Sequence, residues 1–369
     1  MKILITTEQY YPIKSGVSSV VTAIAEELVR LKHEVYVVTG CQERLYSVHN
    51  GVNIIEFKIF GGFGNYYRGN TNQYIEFIKN FECDVMINEC VQTWSTDLIL
   101  SALDEVKVKK KFLHSHGFSL LSYRTKNPWA YIKSKFYYAT LYKYLKKYDH
   151  IFLLHEKTVE TLYLQKHGIK QFSYLPNGVP KSFVSKNKLS EKKEKYLLSI
   201  SNYFPFKNQE FLLEAYYRSK TEYPLILVGN SILKEYLQKL KLLKTKFDSQ
   251  YGFRNVEFLY QISREETEKY LENAILFLHS SKLEVFPMVI VESMAKGVPF
   301  ICTDVGNVST LKGGYVIQTV DEMSVTINDL LNHKEKYNKL IEDGTKSISQ
   351  SLTWEEIIKN LEKYFFKKD

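Results

Sequence analysis

A chain of 369 residues is too long for one hydrophobic core and reads as two domains, which excludes a single small binding module. Its 44% hydrophobic and 25% charged residues are the proportions of a folded globular chain, and 17 Gly with 8 Pro exclude a low-complexity one. A net charge of +9 draws the molecule to polyanions: nucleic acid, anionic lipid or phosphorylated small molecules.

Residues 2–7 form an apolar run ending in polar residues, as in a strand buried in a parallel sheet. Ser15-Gly16 then precedes Val17, Val20, Val21, Ile24, Leu28 and Leu31 at helical spacing, and residues 34–39 are again strand-like, completing a βαβ unit. Apolar runs at 52–57, 85–88, 111–114 and 151–154, separated by lengths suited to crossovers, extend this into a doubly wound α/β domain over 1–178. The turn Pro176-Asn177-Gly178-Val179-Pro180 opens a polar, lysine-rich linker, 179–194. A second strand–helix series follows at 196–201, 209–217, 225–228, 256–259 and 275–279, giving another Rossmann-like domain over 195–351. Thr353-Trp354-Glu355-Glu356 starts a final helix within 352–369, with Trp354, Ile357, Ile358, Leu361 and Phe365 on one face.

No run approaches the ~20 apolar residues of a membrane-spanning helix, and the first residues enter a strand and not a signal peptide, so a cytoplasmic location is expected. Cys41, Cys83, Cys90 and Cys302 share no ligand spacing, so neither disulfides nor a zinc site is expected.

The sharpest local signal lies at 284–299. A strand ends near His279, a polar loop holds Glu284, and Pro287 suits the first turn of a helix that carries Glu292. Unpaired N–H groups and the dipole at such a terminus favour a phosphate, and carboxylates beside it favour sugar hydroxyls. A capped, solvated helix start with incidental glutamates is the alternative on spacing alone.

These residues resemble the Glu-x7-Glu signature of retaining glycosyltransferase family 4, a GT-B group, and 297–307 matches it too. Tyr11-Pro12 with Gly16, His33-Glu34-Val35, His116-Gly117, Pro176-Asn177-Gly178-Val179, Gly229-Asn230 and Thr353-Trp354 resemble that family's landmarks in the same order over nearly the whole chain. The resemblance implies two Rossmann-like domains facing across a cleft, the first binding acceptor and the second a nucleotide-sugar, with the C-terminal helix returning to the first domain. It also implies a retaining transfer of a hexosyl or N-acetylhexosaminyl group, UDP-sugar favoured over GDP-sugar, in bacterial surface polysaccharide or glycolipid synthesis. Glu292 would bind the ribose, while Glu284 and the backbone of Phe286, Pro287, Met288 and Val289 would hold donor sugar and diphosphate. Lys207 matches the lysine of the family's Arg-x4-Lys pair, but Asn202 stands where the arginine usually does, so one cation is missing. Tyr260, Gln261 and Ile262, where the family commonly has a glycine, would pass over the nucleobase. His116 resembles the family's histidine at the donor sugar, with His114 on the same strand face as competitor. Gly16 would let the chain approach the donor phosphates, with Ser15 replacing a first glycine. No metal or other cofactor is implied, Lys207 and the helix terminus serving in place of one.

Residues 107–148 hold eleven Lys/Arg and no Asp or Glu, interleaved with aromatic rings including Tyr123, Trp129 and Tyr131. Lys109, Lys110, Lys111, Lys133, Lys135, Lys143, Lys146 and Lys147 are expected to dock the enzyme peripherally on the anionic inner face of the cell membrane, toward a glycan or lipid-linked acceptor. Nucleic-acid binding is the competing reading of this stretch, lacks any other signature, and is not expected. A nucleotide-sugar epimerase on the same plan, or a non-catalytic polyanion-binding homologue, is the remaining alternative.

Overall fold

Apolar runs of four to eight residues form two mainly parallel sheets, one in each of two units: Met1–Asn177 with Trp354–Asp369, and Gly178–Thr353. The computed structural model describes residues 1–13, 15–41, 47–62, 66–118, 128–184 and 195–367.

In the first unit the strands are β1 (Lys2–Thr6), β2 (Glu34–Gly40), β3 (Val48–His49), β4 (Val52–Phe57), β7 (Cys83–Glu89), β8 (Val108–Ser115), β9 (His150–Leu153) and β10 (Phe172–Tyr174). A small ribbon of β5 (Ile59–Phe60) and β6 (Arg68–Gly69) stands apart. The sheet order is β10-β9-β8-β7-β1-β2-β4-β3, parallel except at β3. Strands buried on both faces read as continuous apolar runs, which is why they were visible in the sequence. Ser15 caps the helix Gly16–Arg30 by accepting the Ser18 N–H at 3.2 Å, so the residue replacing a first glycine has a structural use.

The final helix, Trp354–Phe365, belongs to this unit. Ile357, Ile358, Leu361 and Phe365 are buried with Ile3, Val20, Ile24 and Leu28 in one cluster, each such side chain contributing about 1.5–3 kcal/mol of burial energy. His33 Nε2 and Glu362 Oε1, 2.8 Å apart, fasten its far end.

The second unit holds β11 (Leu197–Ile200), β12 (Leu225–Val228), β13 (Val256–Leu259), β14 (Leu276–His279), β15 (Phe300–Thr303) and β16 (Gly314–Ile317), all parallel, in the order β13-β12-β11-β14-β15-β16. This is the 3-2-1-4-5-6 order of a dinucleotide-binding fold, which places its crevice beyond the C-terminal ends of β11 and β14. Of the expected linker 179–194, residues 179–184 pack within this unit: Val179 bridges Thr353 and Phe183 is buried. Residues 185–194 lie outside the described residues.

Candidate active site

The loop leaving β11 carries Lys207 in a 3-10 turn, Pro205–Lys207, and the loop leaving β14 carries Glu284. The two loops are tied together. Ser280 Oγ lies 3.1 Å from the Lys207 carbonyl and 2.9 Å from that of Asn208, and the Lys282 N–H donates to the Phe206 carbonyl at 2.8 Å. Lys207 Nζ is thereby held 2.5 Å from Glu284 Oε1, with His279 Nε2 3.3 Å from the same oxygen. Burial pushes the Glu284 carboxyl up, but the His279 ring and the Lys207 ammonium outweigh it and hold it below the usual range. Gly306, at φ 56°, lets the loop after β15 press on this one: a Cβ there would sit 2.4 Å from the Val285 carbonyl oxygen.

Pro287 ends the loop and the helix Met288–Ala295 begins, with no side chain capping its N-terminus. Phe286 and Pro287 are buried, Met288 and Val289 half-buried, and the uncapped N–H groups lie beside Glu284 in sequence. Glu292, one turn further, is buried and bound by Arg264, whose Nη2 contacts Oε1 and whose Nη1 is 3.4 Å from Oε2. Burial raises the Glu292 pKa more than this guanidinium lowers it. Arg264 heads the helix Arg264–Asn273 and His279 ends β14; neither residue was singled out in the sequence.

Asn202, in the place of the missing arginine, accepts the Ser231 N–H through Oδ1 at 3.0 Å and so braces the turn after β12. Asn230 in that turn donates to the Ile262 carbonyl at 2.9 Å and accepts its N–H at 3.2 Å. The backbone of Ile262 is therefore already engaged, whereas Tyr260 is exposed. Gln261 adopts φ 59°, the left-handed conformation that a glycine would take at no cost, which explains the residue expected there.

In the first unit the sheet order reverses between β1 and β7. Glu89 ends β7 in register with His114 of β8, and His116 follows two residues on. Glu89 is fully buried, its Oε2 lying 3.0 Å from His114 Nδ1 and 2.6 Å from His116 Nε2. Burial would raise its pKa, yet the two imidazoles hold it down at about 2. Burial first, then the nearby His114, lowers that of His116. Gly16 faces open space, with nothing within 4 Å of a Cβ built on it. Beside the ends of β1 and β2 a cavity of about 230 Å³ is lined by Glu8, Lys58, Phe60 and Trp94 among others. Behind Trp94, Asp97 accepts Tyr137 and Tyr67 hydroxyls and the Gln92 N–H, and burial raises its pKa to about 6.

Residues 14–183 match the family described as Glycosyltransferase Family 4, and residues 181–347 match Glycosyl transferases group 1. This chain is a family 4-type glycosyltransferase. An uncharacterized glycosyltransferase of Haemophilus influenzae is 23% identical over 93% of the chain and 94% of its own length. N-acetylgalactosamine-N,N'-diacetylbacillosaminyl-diphospho-undecaprenol 4-alpha-N-acetylgalactosaminyltransferase of Campylobacter jejuni is 30% identical over 30% of this chain and 28% of its own. The crystal structure of HepE from Anabaena, in complex with UDP and glucose, superposes with a TM-score of 0.73 at 16% identity over 98% of each chain, and so shares the GT-B fold.

In the glycosyltransferase the basic stretch is divided by folding. Lys109, Lys110 and Lys111 lie in β8, where Lys109 Nζ is 2.6 Å from Asp84 and Lys111 donates to the Leu103 carbonyl at 3.1 Å. Lys147 pairs with Asp104 at 2.5 Å, and Lys146 lies over the Tyr142 ring. Lys133, Lys135 and Lys143 share the exposed side of the helix Pro128–Leu145 with Tyr131, Ile132 and Phe136, while Ser134, Tyr138, Leu141 and Leu145 face the core. Tyr123 and the Trp129 side chain lie outside the described residues.

Proposed function

We propose that this glycosyltransferase moves a sugar from a UDP-sugar to a glycan or lipid-linked acceptor with net retention, the second unit binding the donor and the first the acceptor. The observation that carries this is the Lys207–Glu284 pair beside the uncapped terminus of Met288–Ala295, at the reversal of strand order in the second sheet. A diphosphate there gains the helix N–H groups and the ammonium, and needs no metal to balance its charge. Glu292 offers two acceptor oxygens for ribose hydroxyls, Tyr260 an exposed ring for the base, and Arg264 a neighbouring cation. The UDP in HepE and the polyprenyl acceptor in the name of the Campylobacter relative favour these substrate classes.

As the glycosidic bond to the diphosphate lengthens, Lys207 stabilises the leaving oxygen, and that oxygen takes the proton of the acceptor hydroxyl entering from the same face. Carboxylate and aromatic groups around the 230 Å³ cavity suit a sugar acceptor. The lysine and aromatic side of Pro128–Leu145 supports peripheral docking on an anionic membrane at the cytoplasmic face; no helix among the described residues is long and apolar enough to cross one.

Calorimetry with UDP, GDP, ADP and their sugar conjugates, with and without magnesium, tests the donor site. Metal-independent binding of a uridine nucleotide that Glu292→Ala loses is the expected result. Nucleoside diphosphate released only when an acceptor is present separates transfer from epimerisation; binding of none of these nucleotides defeats the reading.

A further inference from the structure

We propose that Glu89 is a positioning residue that fixes His116 as its Nε2–H tautomer, so that the ring presents Nδ1 as a hydrogen-bond acceptor to a sugar hydroxyl. That a sugar is what meets this ring rests on the transferase reading above; the tautomer does not.

The arrangement follows from strand register. Glu89 and His114 are paired across β7 and β8, and side chains alternate along a strand, so His116 returns to the face of His114 and both rings reach one carboxylate. The rings lie 4.3 Å apart between centroids. Cys90, at φ 65°, donates its N–H to the His114 carbonyl at 2.9 Å and locks the end of β7 where Glu89 leaves it.

A carboxylate accepts only, and a neutral imidazole carries one N–H. Both nitrogens facing Glu89 Oε2 must then be the protonated ones: Nδ1 in His114 and Nε2 in His116. The remaining nitrogens differ in access. His114 Nε2 is buried without a protein partner, so this ring is sealed behind the site. His116 keeps about 8% of its side chain exposed, and its Nδ1 has no partner among the described residues. His116 is therefore the ring that meets substrate, and it meets it as an acceptor. Burial keeps a second proton off that ring. The ligand must offer a hydroxyl at this point; a deoxy or O-methyl sugar leaves the bare nitrogen unpaired, and binding falls roughly 10- to 100-fold.

Nitrogen-15 NMR of imidazole-labelled full-length protein at neutral pH tests the tautomer directly, with His116→Asn assigning the resonance. The expected result is a protonated Nε2 and bare Nδ1 in the native chain, replaced by a tautomer mixture in Glu89→Leu. Glu89→Gln, which keeps the size and one acceptor oxygen and serves should Glu89→Leu not fold, loses the fixed tautomer in part. A native Nδ1–H form, or an unchanged tautomer in both variants, overturns the proposal. So does one-to-one zinc binding, measured by calorimetry on the metal-free protein and abolished in Glu89→Gln, because Glu89, His114 and His116 would then be a ligand set. With a donor that turns over, Glu89→Leu and His116→Asn should each lower kcat roughly 10- to 100-fold, and together no further. Normal turnover in a variant whose tautomer is lost overturns the proposal and leaves the transferase reading intact; a native protein that transfers no sugar removes that reading, and the NMR still decides the tautomer.

Discussion

Lys207 Nζ and Glu284 Oε1, 77 positions apart in the sequence, lie 2.5 Å apart with both side chains largely buried. The ammonium that would neutralise a diphosphate is thus already balanced before donor arrives. On the proposed reading a donor phosphate would share it with a carboxylate that His279 helps to keep charged, and this exchange would tie donor binding to the geometry of one loop pair.

Replacing Lys207 by alanine removes the cation proposed to stabilise the leaving group. Turnover is expected to fall by about 10²–10³ with a smaller change in donor KM, as for loss of one preorganised transition-state contact. Steady-state kinetics decide it; a change confined to KM would move Lys207 from transition-state stabilisation to ground-state binding.

Glu292→Ala removes two acceptor oxygens and leaves Arg264 paired with Glu268 alone. The affinity for UDP should drop about tenfold or more, read by titration calorimetry. Equal affinity in the variant would place the ribose elsewhere.

Asn202→Arg restores the absent charge at the expense of the hydrogen bond to the Ser231 N–H. Turnover is expected to match or exceed that of the native chain, with stability lower by about 1 kcal/mol in denaturant unfolding. Lower turnover would mean that the brace after β12 matters more than the missing cation.

Asp97 is raised to about 6 in the folded chain, so between the unfolded pKa near 4 and that value the folded state binds the extra proton. Its contribution is fully present at lower pH and is lost as pH rises through about 6, a difference on the order of 2–3 kcal/mol. Asp97→Asn should flatten this part of the stability–pH curve, gaining relative to the native chain at pH 7.5 and little at pH 4. Parallel curves for the two proteins would remove Asp97 as the source.

Docking through Pro128–Leu145 predicts that Lys133→Glu with Lys135→Glu weakens binding to phosphatidylserine vesicles roughly tenfold or more, each cation near such a surface contributing ~1 kcal/mol. Phe136→Ala should weaken it further without altering circular dichroism. Unchanged co-sedimentation excludes this face.

Glu284 and Glu292 were legible because a proline between them marks where a helix starts. Lys207 was legible only through likeness to a family, since among 50 basic residues nothing local distinguishes it. Glu89, His279 and Arg264 were not legible. The first two end apolar strand runs, where a polar residue normally just faces solvent, and their partners are chosen by register and loop closure. The basic stretch misled in a different way: its charges are contiguous in sequence, but strand pairing brings Asp84 to Lys109, and loop packing brings Asp104 to Lys147, so the stretch does not fold into one continuous basic surface.

The final helix carries a consequence for how the protein is made. The first unit is interrupted after Asn177 and completed only from Trp354 onward, so the second unit is an insertion within it. During synthesis, the cluster around Ile3, Val20, Ile24 and Leu28 lacks its share from Ile357, Ile358, Leu361 and Phe365 until all of the inserted unit has left the ribosome. The inserted unit is continuous in sequence and can close first, while the earlier-made one keeps an incomplete apolar cluster, a natural point for chaperone capture and for aggregation when translation stalls.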